Sequence, residues 1–206
     1  ILADEQLMAF DNSFFGISDV QAGMIAPSTR IMMEVGYEIF QKVGYTRESL
    51  RGHNVAVAVG EAGLDWTPWE GYDRDPDQWL QATMMQGASG MLYLGRTLGT
   101  VGPMYSIDTA CSSSLVTANV IHAAVKRANA PYNEGLSIAH QFALSPFGFI
   151  GLSQAGMLGR GGRCFTFDKS ANGYNKGEGV GGVLLKLSDD MDEMMKSGAS
   201  IAGTFV

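Results

Sequence analysis

Cysteine is scarce in this chain: its 206 residues hold two, Cys111 and Cys164. Two thiols make no disulfide framework and suit a reducing compartment. The expected location is the cytoplasm, or an organelle whose targeting segment is not in this sequence. Basic charge is also in short supply. Fourteen Lys and Arg stand against 21 Asp and Glu, a net −7. That leaves no basic stripe for a phosphate backbone and excludes nucleic acid as the expected partner. No run is long and apolar enough to span a membrane. No internal repeat, low-complexity tract or linker divides the chain, so residues 1–206 read as one domain. The opening Ile1-Leu2-Ala3-Asp4-Glu5 is neither an initiator Met nor a signal peptide. The close, Ile201 to Val206, stops inside what reads as a strand. We expect a piece truncated at both ends. What is abundant is apolar: 46% hydrophobic residues against 17% charged, the composition of a globular domain with a core.

Apolar runs alternate between strand-like and helix-like lengths, which gives an α/β class with mixed sheet pairing. Pro27 and Ser28 precede a helix of roughly four turns that runs to Val43, with Ser28 as the expected N-cap. Val55 to Val59 reads as a buried strand ending in Gly60. Residues 61–78, with Trp66 and Trp69, read as an irregular insertion. Its Asp73-Arg74-Asp75-Pro76-Asp77 lacks the glycine and closing glutamate of a calcium loop, so it reads as a turn. Leu136–Ala139, Val180–Leu187 and the segment from Ile201 are further strands, and Asp189–Lys196 a surface helix with early acidic residues. Gly177-Glu178-Gly179-Val180-Gly181-Gly182 fits G-x-G-x-x-G, but a strand follows it where a dinucleotide site needs a helix. Its glycines serve close backbone approach, and Glu178 is expected to be a buried hydrogen-bonding carboxylate.

The most informative segment is Asp108-Thr109-Ala110-Cys111-Ser112-Ser113-Ser114. A strand through Ile107 ends there, and a helix expected over Ser112–Ala128 begins. A thiol at that turn meets unpaired backbone N–H groups and the positive end of the helix dipole. Both favour thiolate over thiol, and the same N–H groups can receive the oxyanion of an acyl-transfer intermediate. The plain alternative is a buried cysteine acting as a small hydrophobe. The helix is apolar nearly all round apart from Asn119 and His122, so it is expected to be buried on several sides between layers. Cys164 reads as a buried structural thiol.

Asp108 to Val116, DTACSSSLV, resembles the active-site segment of β-ketoacyl synthases, the condensing domains of polyketide and fatty-acid synthases. Other elements agree in the family's order: Phe14-Phe15-Gly16-Ile17-Ser18, Leu50-Arg51-Gly52 before the first core strand, and Gly162-Arg163-Cys164 through Leu184-Leu185-Lys186. The modular polyketide type is closer in wording than the free-standing fatty-acid type. Three places depart from it. The usual MDPQQR is Ile25-Ala26-Pro27-Ser28-Thr29-Arg30. The usual AGG is Ala139-His140-Gln141. Met91 to Thr100 matches the family's NRISY element poorly.

The resemblance implies a thiolase-like layered α/β/α/β/α fold, of which this chain is the N-terminal half, a partial β-ketoacyl synthase N-terminal domain. It implies that Cys111 takes an acyl chain from the phosphopantetheine of an acyl carrier protein and condenses it with a malonyl-type extender. It places Gly148 and Leu152 at pocket-lining and gating positions; the alternative there is a loop packing its phenylalanines into the core. No tightly bound cofactor and no metal are implied. The partners are an acyl carrier protein, docked by Lys126, Arg127, Arg160 and Arg163 unless these are simply solvated, and a second copy of the complete domain. The family's two histidine motifs, HGTGT and GH, do not occur here. His53 reads as a solvated loop residue and His122 as a satisfied core histidine. His140 ends a strand, where the family has glycine. Two competing readings remain: another thiolase-fold acyltransferase, and a non-condensing scaffold that only binds an acyl carrier.

Overall fold

A computed structural model describes residues 4–62 and 89–206. The expected insertion over 61–78 therefore lies outside the described residues, except for Glu61 and Ala62. Five helices precede the sheet: α1 (Asp4–Met8), α2 (Asn12–Phe15), α3 (Asp19–Met24), α4 (Pro27–Lys42) and α5 (Arg47–Leu50). Strand β1 (Ala56–Gly60) is followed by α6 (Ser89–Leu98), β2 (Met104–Ile107), α7 (Ser113–Val125) and β3 (Glu134–Gln141). Then come α8 (Pro146–Gln154), β4 (Gly179–Lys186) and α9 (Met191–Lys196).

The sheet has the order β2-β1-β3-β4. β1 runs parallel to both β2 and β3, and β4 runs antiparallel to β3. Side chains on β1 alternate between two different cores, as strand geometry requires. Val57 and Val59 join Met32, Met33 and Phe40 of α4 and Leu94 and Leu98 of α6. Ala56 and Ala58 face Ile121, Ala124 and Val125 of α7. Helices therefore cover both faces, and the described residues form an α/β/α sandwich within the layered fold that the sequence implied. Valines on one face and alanines on the other set the spacing: α7 lies close over a nearly bare surface. On the valine side, α4 and α6 meet at Gly36, where a Cβ would lie 2.7 Å from Leu94 Cδ1.

Local expectations fare unevenly. α4 begins at Pro27, with Ala26 as its N-cap and no side-chain cap bond. Ser28 is buried inside the first turn, because proline preset at N1 starts the helix two residues earlier. The helix after Cys111 is shorter than expected, and it is buried on its sheet face alone. Thr117, Ile121, Ala124 and Val125 are buried, whereas Leu115 is 58% exposed. Residues 201–206 form no strand. Instead Thr204 Oγ1 donates to Asn119 Oδ1 at 2.6 Å and lies 2.9 Å from His122 Nδ1, which draws the chain across α7. β4 starts at Gly179, inside the Gly177–Gly182 run, so a strand stands where a nucleotide site needs a helix.

Candidate active site

The site is built where β1, β2 and β3 end. Carboxyl ends of parallel strands are where ligand-binding groups collect in α/β sheets, because the loops there are free of ladder hydrogen bonds. β2 stops at Ile107, and the chain turns through Asp108 and Thr109 into a 3₁₀ turn, Ala110–Ser112, that leads into α7. Ala110 has φ +55°, a left-handed conformation costing about 1–2 kcal/mol for a residue with a Cβ. Neighbouring side chains hold it there. Asp108 Oδ1 accepts from the Ala110 N–H at 3.0 Å. Ser113 Oγ accepts from the Thr109 N–H at 2.9 Å and donates to the Ala110 carbonyl at 2.7 Å. Ser112 Oγ donates to the Thr109 carbonyl at 2.8 Å. The serines of DTACSSS are thus braces of the turn. The residue they present is Cys111, a free and exposed thiol.

Close approach to the sheet depends on Gly60 at the end of β1. A Cβ there would lie 3.1 Å from the Ser113 carbonyl group and 3.1 Å from Ala139 Cβ. Further along α7, Ser137 Oγ donates to Thr117 Oγ1 at 2.8 Å inside the core. The start of the helix is therefore pinned by sterics and by a buried hydrogen bond.

Cys111 opens onto a cavity of about 1260 Å³. Gly148 and Leu152 line the same cavity, so all three site residues expected from the sequence are brought together. Gly148 and Leu152 are four residues apart on α8 and share one face of it. Ser145 caps this helix by accepting from the Phe147 N–H at 3.1 Å, and Pro146 starts it. The segment is a helix, and its Phe147 and Phe149 are exposed, so the alternative of phenylalanines packed into the core does not hold. Lys176 Nζ sits 5.2 Å from the Phe149 ring centroid at the rim. Glu178 is half-buried, and its Oε1 accepts from the Ala143 N–H at 3.1 Å, tying the start of β4 to the loop after β3.

His140 lines the cavity too. Its Nε2 lies 3.3 Å from Glu61 Oε2, and the two side chains are 4% and 8% exposed. Glu61 escaped the sequence reading. The signal available was a carboxylate directly after an apolar strand, at the end where site groups gather. The other histidines are elsewhere. His53 is not a solvated loop residue: it is half-buried, 3.1 Å from Tyr45 Oη and 3.7 Å from Glu134 Oε1. This cluster sits at the amino end of β3, away from the cysteine. Burial, then the hydrogen bond that Tyr45 donates to Glu134 at 2.7 Å, hold the Tyr45 hydroxyl above its ordinary pKa. His122 rides α7, bonded to Thr204. Cys164 is exposed and not buried; its Sγ accepts from the Asn175 N–H at 3.2 Å in a loop. Lys126, Arg127, Arg160 and Arg163 are exposed. Among the described residues, no group of three or more His, Cys, Asp or Glu is placed to hold a metal ion. No helix among them is long and apolar enough to cross a membrane.

A mixed-sheet α/β fold with a cysteine on a braced strand-to-helix turn is the architecture of a condensing-enzyme domain, and solved structures agree. A ketosynthase from module 6 of the bacillaene synthase of Bacillus subtilis 168 matches with a TM-score of 0.76 at 28% identity, over 95% of this chain and 32% of that one. Residues 3–191 match the family model of the β-ketoacyl synthase N-terminal domain. The chain belongs to that family, in its polyketide synthase form. The non-reducing polyketide synthase olcA of Penicillium canescens is 36% identical over 197 residues, which is 92% of this chain and 8% of the relative. Polyketide synthase GfsB of Streptomyces halstedii is 35% identical over 184 residues, 87% of this chain and 3% of the relative. The chain therefore spans under a tenth of these relatives.

Proposed function

We propose that this domain catalyses the acyl transfer and decarboxylative condensation of a polyketide-forming ketosynthase, with Cys111 as its nucleophile. The observation that carries the reading is the exposed Cys111 thiol, held on a hydrogen-bonded turn and sharing one cavity with Gly148 and Leu152. The Cys111 thiolate attacks the carbonyl carbon of a thioester on the phosphopantetheine of an acyl carrier protein. Backbone N–H groups at the helix start stabilise the oxyanion. The carrier thiolate leaves and takes up a proton, and the acyl chain remains on Sγ, reaching along the cavity past Gly148 and Leu152. A malonyl-type extender on a carrier then loses carbon dioxide. The resulting enolate carbon attacks the Cys111 thioester, Sγ leaves as thiolate, and a β-ketoacyl product stays on the carrier. The protein binds no cofactor of its own in this scheme, and it works as a homodimer of the complete domain.

The test is acylation. Incubation with an acyl-carrier thioester is expected to add one acyl mass to the protein, located on Cys111 by peptide mass spectrometry and lost in Cys111→Ala. An adduct that survives Cys111→Ala sinks the nucleophile assignment. No adduct from any thioester would favour a scaffold that binds carriers without chemistry.

A further inference from the structure

Glu61 and His140 form a buried polar pair that the condensation scheme does not use. Glu61 directly follows β1, and its backbone N–H donates to the Ile107 carbonyl of β2 at 3.1 Å. His140 lies near the end of β3, opposite Val180 of β4. The pair therefore bridges neighbouring strands at the end of the sheet that carries Cys111. Both side chains are more than nine-tenths buried, and His140 is part of the wall of the Cys111 cavity. Nearby stretches of that wall are apolar: Leu115, Phe142, Leu144 and Leu152. Burying a carboxylate and an imidazole costs free energy that glycine at position 140, the residue of the resembled motif, would not.

We propose that this pair is a specificity determinant of the acyl cavity, selecting a chain that carries a hydroxyl group; the inference rests on the acyl-transfer reading. A carboxylate oxygen accepts from a ring N–H, so the Glu61 Oε2 contact assigns a proton to His140 Nε2. In that tautomer Nδ1 is the ring's lone-pair acceptor. A hydroxyl on the acyl chain donates to that nitrogen. A saturated chain displaces water from it and gives nothing back, the circumstance in which polar sites discriminate most strongly. Glu61 is the positioning residue: it sets the tautomer and orientation of the ring, and Ser106 Oγ approaches its other oxygen at 3.5 Å.

The test uses the full-length protein and N-acetylcysteamine thioesters of hexanoate, 3-hydroxyhexanoate and 5-hydroxyhexanoate. The rate of Cys111 adduct formation is read by mass spectrometry of the active-site peptide. At least one hydroxylated chain is expected to outrun hexanoate by about tenfold, the scale of one added hydrogen bond. His140→Phe keeps a ring and removes both nitrogens, and the ratio is expected to fall to about one. The paired variant Glu61→Ala/His140→Gly removes both polar partners, so no unpaired charge remains buried; it too is expected to bring the ratio to about one. Equal rates for all three chains in the unaltered protein, with the adduct on Cys111, overturn the inference and leave acyl transfer standing. A ratio that persists in both variants overturns it as well. No adduct from any of the thioesters overturns acyl transfer itself, and this inference with it.

Discussion

Gly60→Ala is expected to damage the cysteine turn from beneath. The added methyl would meet Ala139 Cβ at 3.1 Å on one side and the Ser113 carbonyl group at 3.1 Å on the other. Carbon atoms rest at about 3.5–4.0 Å, so each contact is short by roughly half an ångström. Ala139 lies in a strand paired on both sides, with Gly60 of β1 and Gly181 of β4, and has little freedom to move. Ser113 heads α7, and the 3₁₀ turn before it is held by local hydrogen bonds from Asp108, Ser112 and Ser113 and not by a sheet ladder. The turn should give first, carrying Cys111 away from the sheet by a few tenths of an ångström. Overpacking of this kind costs about 1–3 kcal/mol. Two measurements read the effect: urea denaturation for stability, and the rate at which Cys111 takes an acyl group from a thioester. Displacement of the turn predicts a loss in both. Gly23→Ala is the control. Nothing lies within 4 Å of its added methyl, and alanine in a helix gains about 0.5–1 kcal/mol over glycine. If Gly60→Ala matched the unaltered protein within about 0.5 kcal/mol and acylated at the same rate, the close-approach reasoning would be wrong.

Three other substitutions test separate parts of the account. Ala110→Val puts a β-branched residue at φ +55° and should destabilise by more than about 1 kcal/mol, while Ala110→Gly should not destabilise; equal midpoints for the two would refute the strain. Thr117→Val leaves the buried Ser137 hydroxyl without its acceptor, an expected loss of about 1–3 kcal/mol, and Thr117→Val/Ser137→Ala should recover part of it in the same urea assay. The raised pKa of Tyr45 means that the folded state keeps its phenolic proton where the unfolded chain has begun to lose it. Its contribution to stability is thus complete below pH 10.0 and is lost as pH rises past that value. Tyr45→Phe should flatten the alkaline fall of Tm, and an unchanged slope between pH 9 and about 11 would count against the Tyr45–Glu134 bond.

Much of the fold was legible because it rests on local pattern. The apolar run before Gly60 is β1 to within a residue, and the strand–Cys–helix wording of 102–125 is the observed path of the chain. Errors fell where tertiary partners decide. Ser28 looked like a cap, but Pro27 had already started α4. Residues 201–206 have strand-like composition, yet among the described residues no neighbour strand receives them, and Thr204 bonds to α7 instead. Cys164 and His53 exchanged environments with respect to expectation. One is exposed in a glycine-rich loop, and the other is half-enclosed by Tyr45 and Glu134, which lie 89 residues apart in sequence. Composition around a residue does not report on partners at that distance.

The site was legible to a different degree for each residue. Cys111 announces itself through its neighbours, because the serines that brace the turn are consecutive with it. Gly148 and Leu152 needed the resemblance, since nothing local ties α8 to a cysteine nearly forty residues earlier; the shared cavity supplies that tie. Glu61 and His140 could not be paired from sequence at all. They are separated by 79 residues and meet only because β1 and β3 are parallel neighbours in register, Gly60 beside Ala139. That register places residues 61 and 140 side by side just beyond the last paired position. A charge at either position alone would be a buried, unpaired liability, so replacing one partner should cost more than replacing both. His140→Gly by itself is therefore expected to be less stable than Glu61→Ala/His140→Gly, and the reverse order would mean that the two side chains do not support each other.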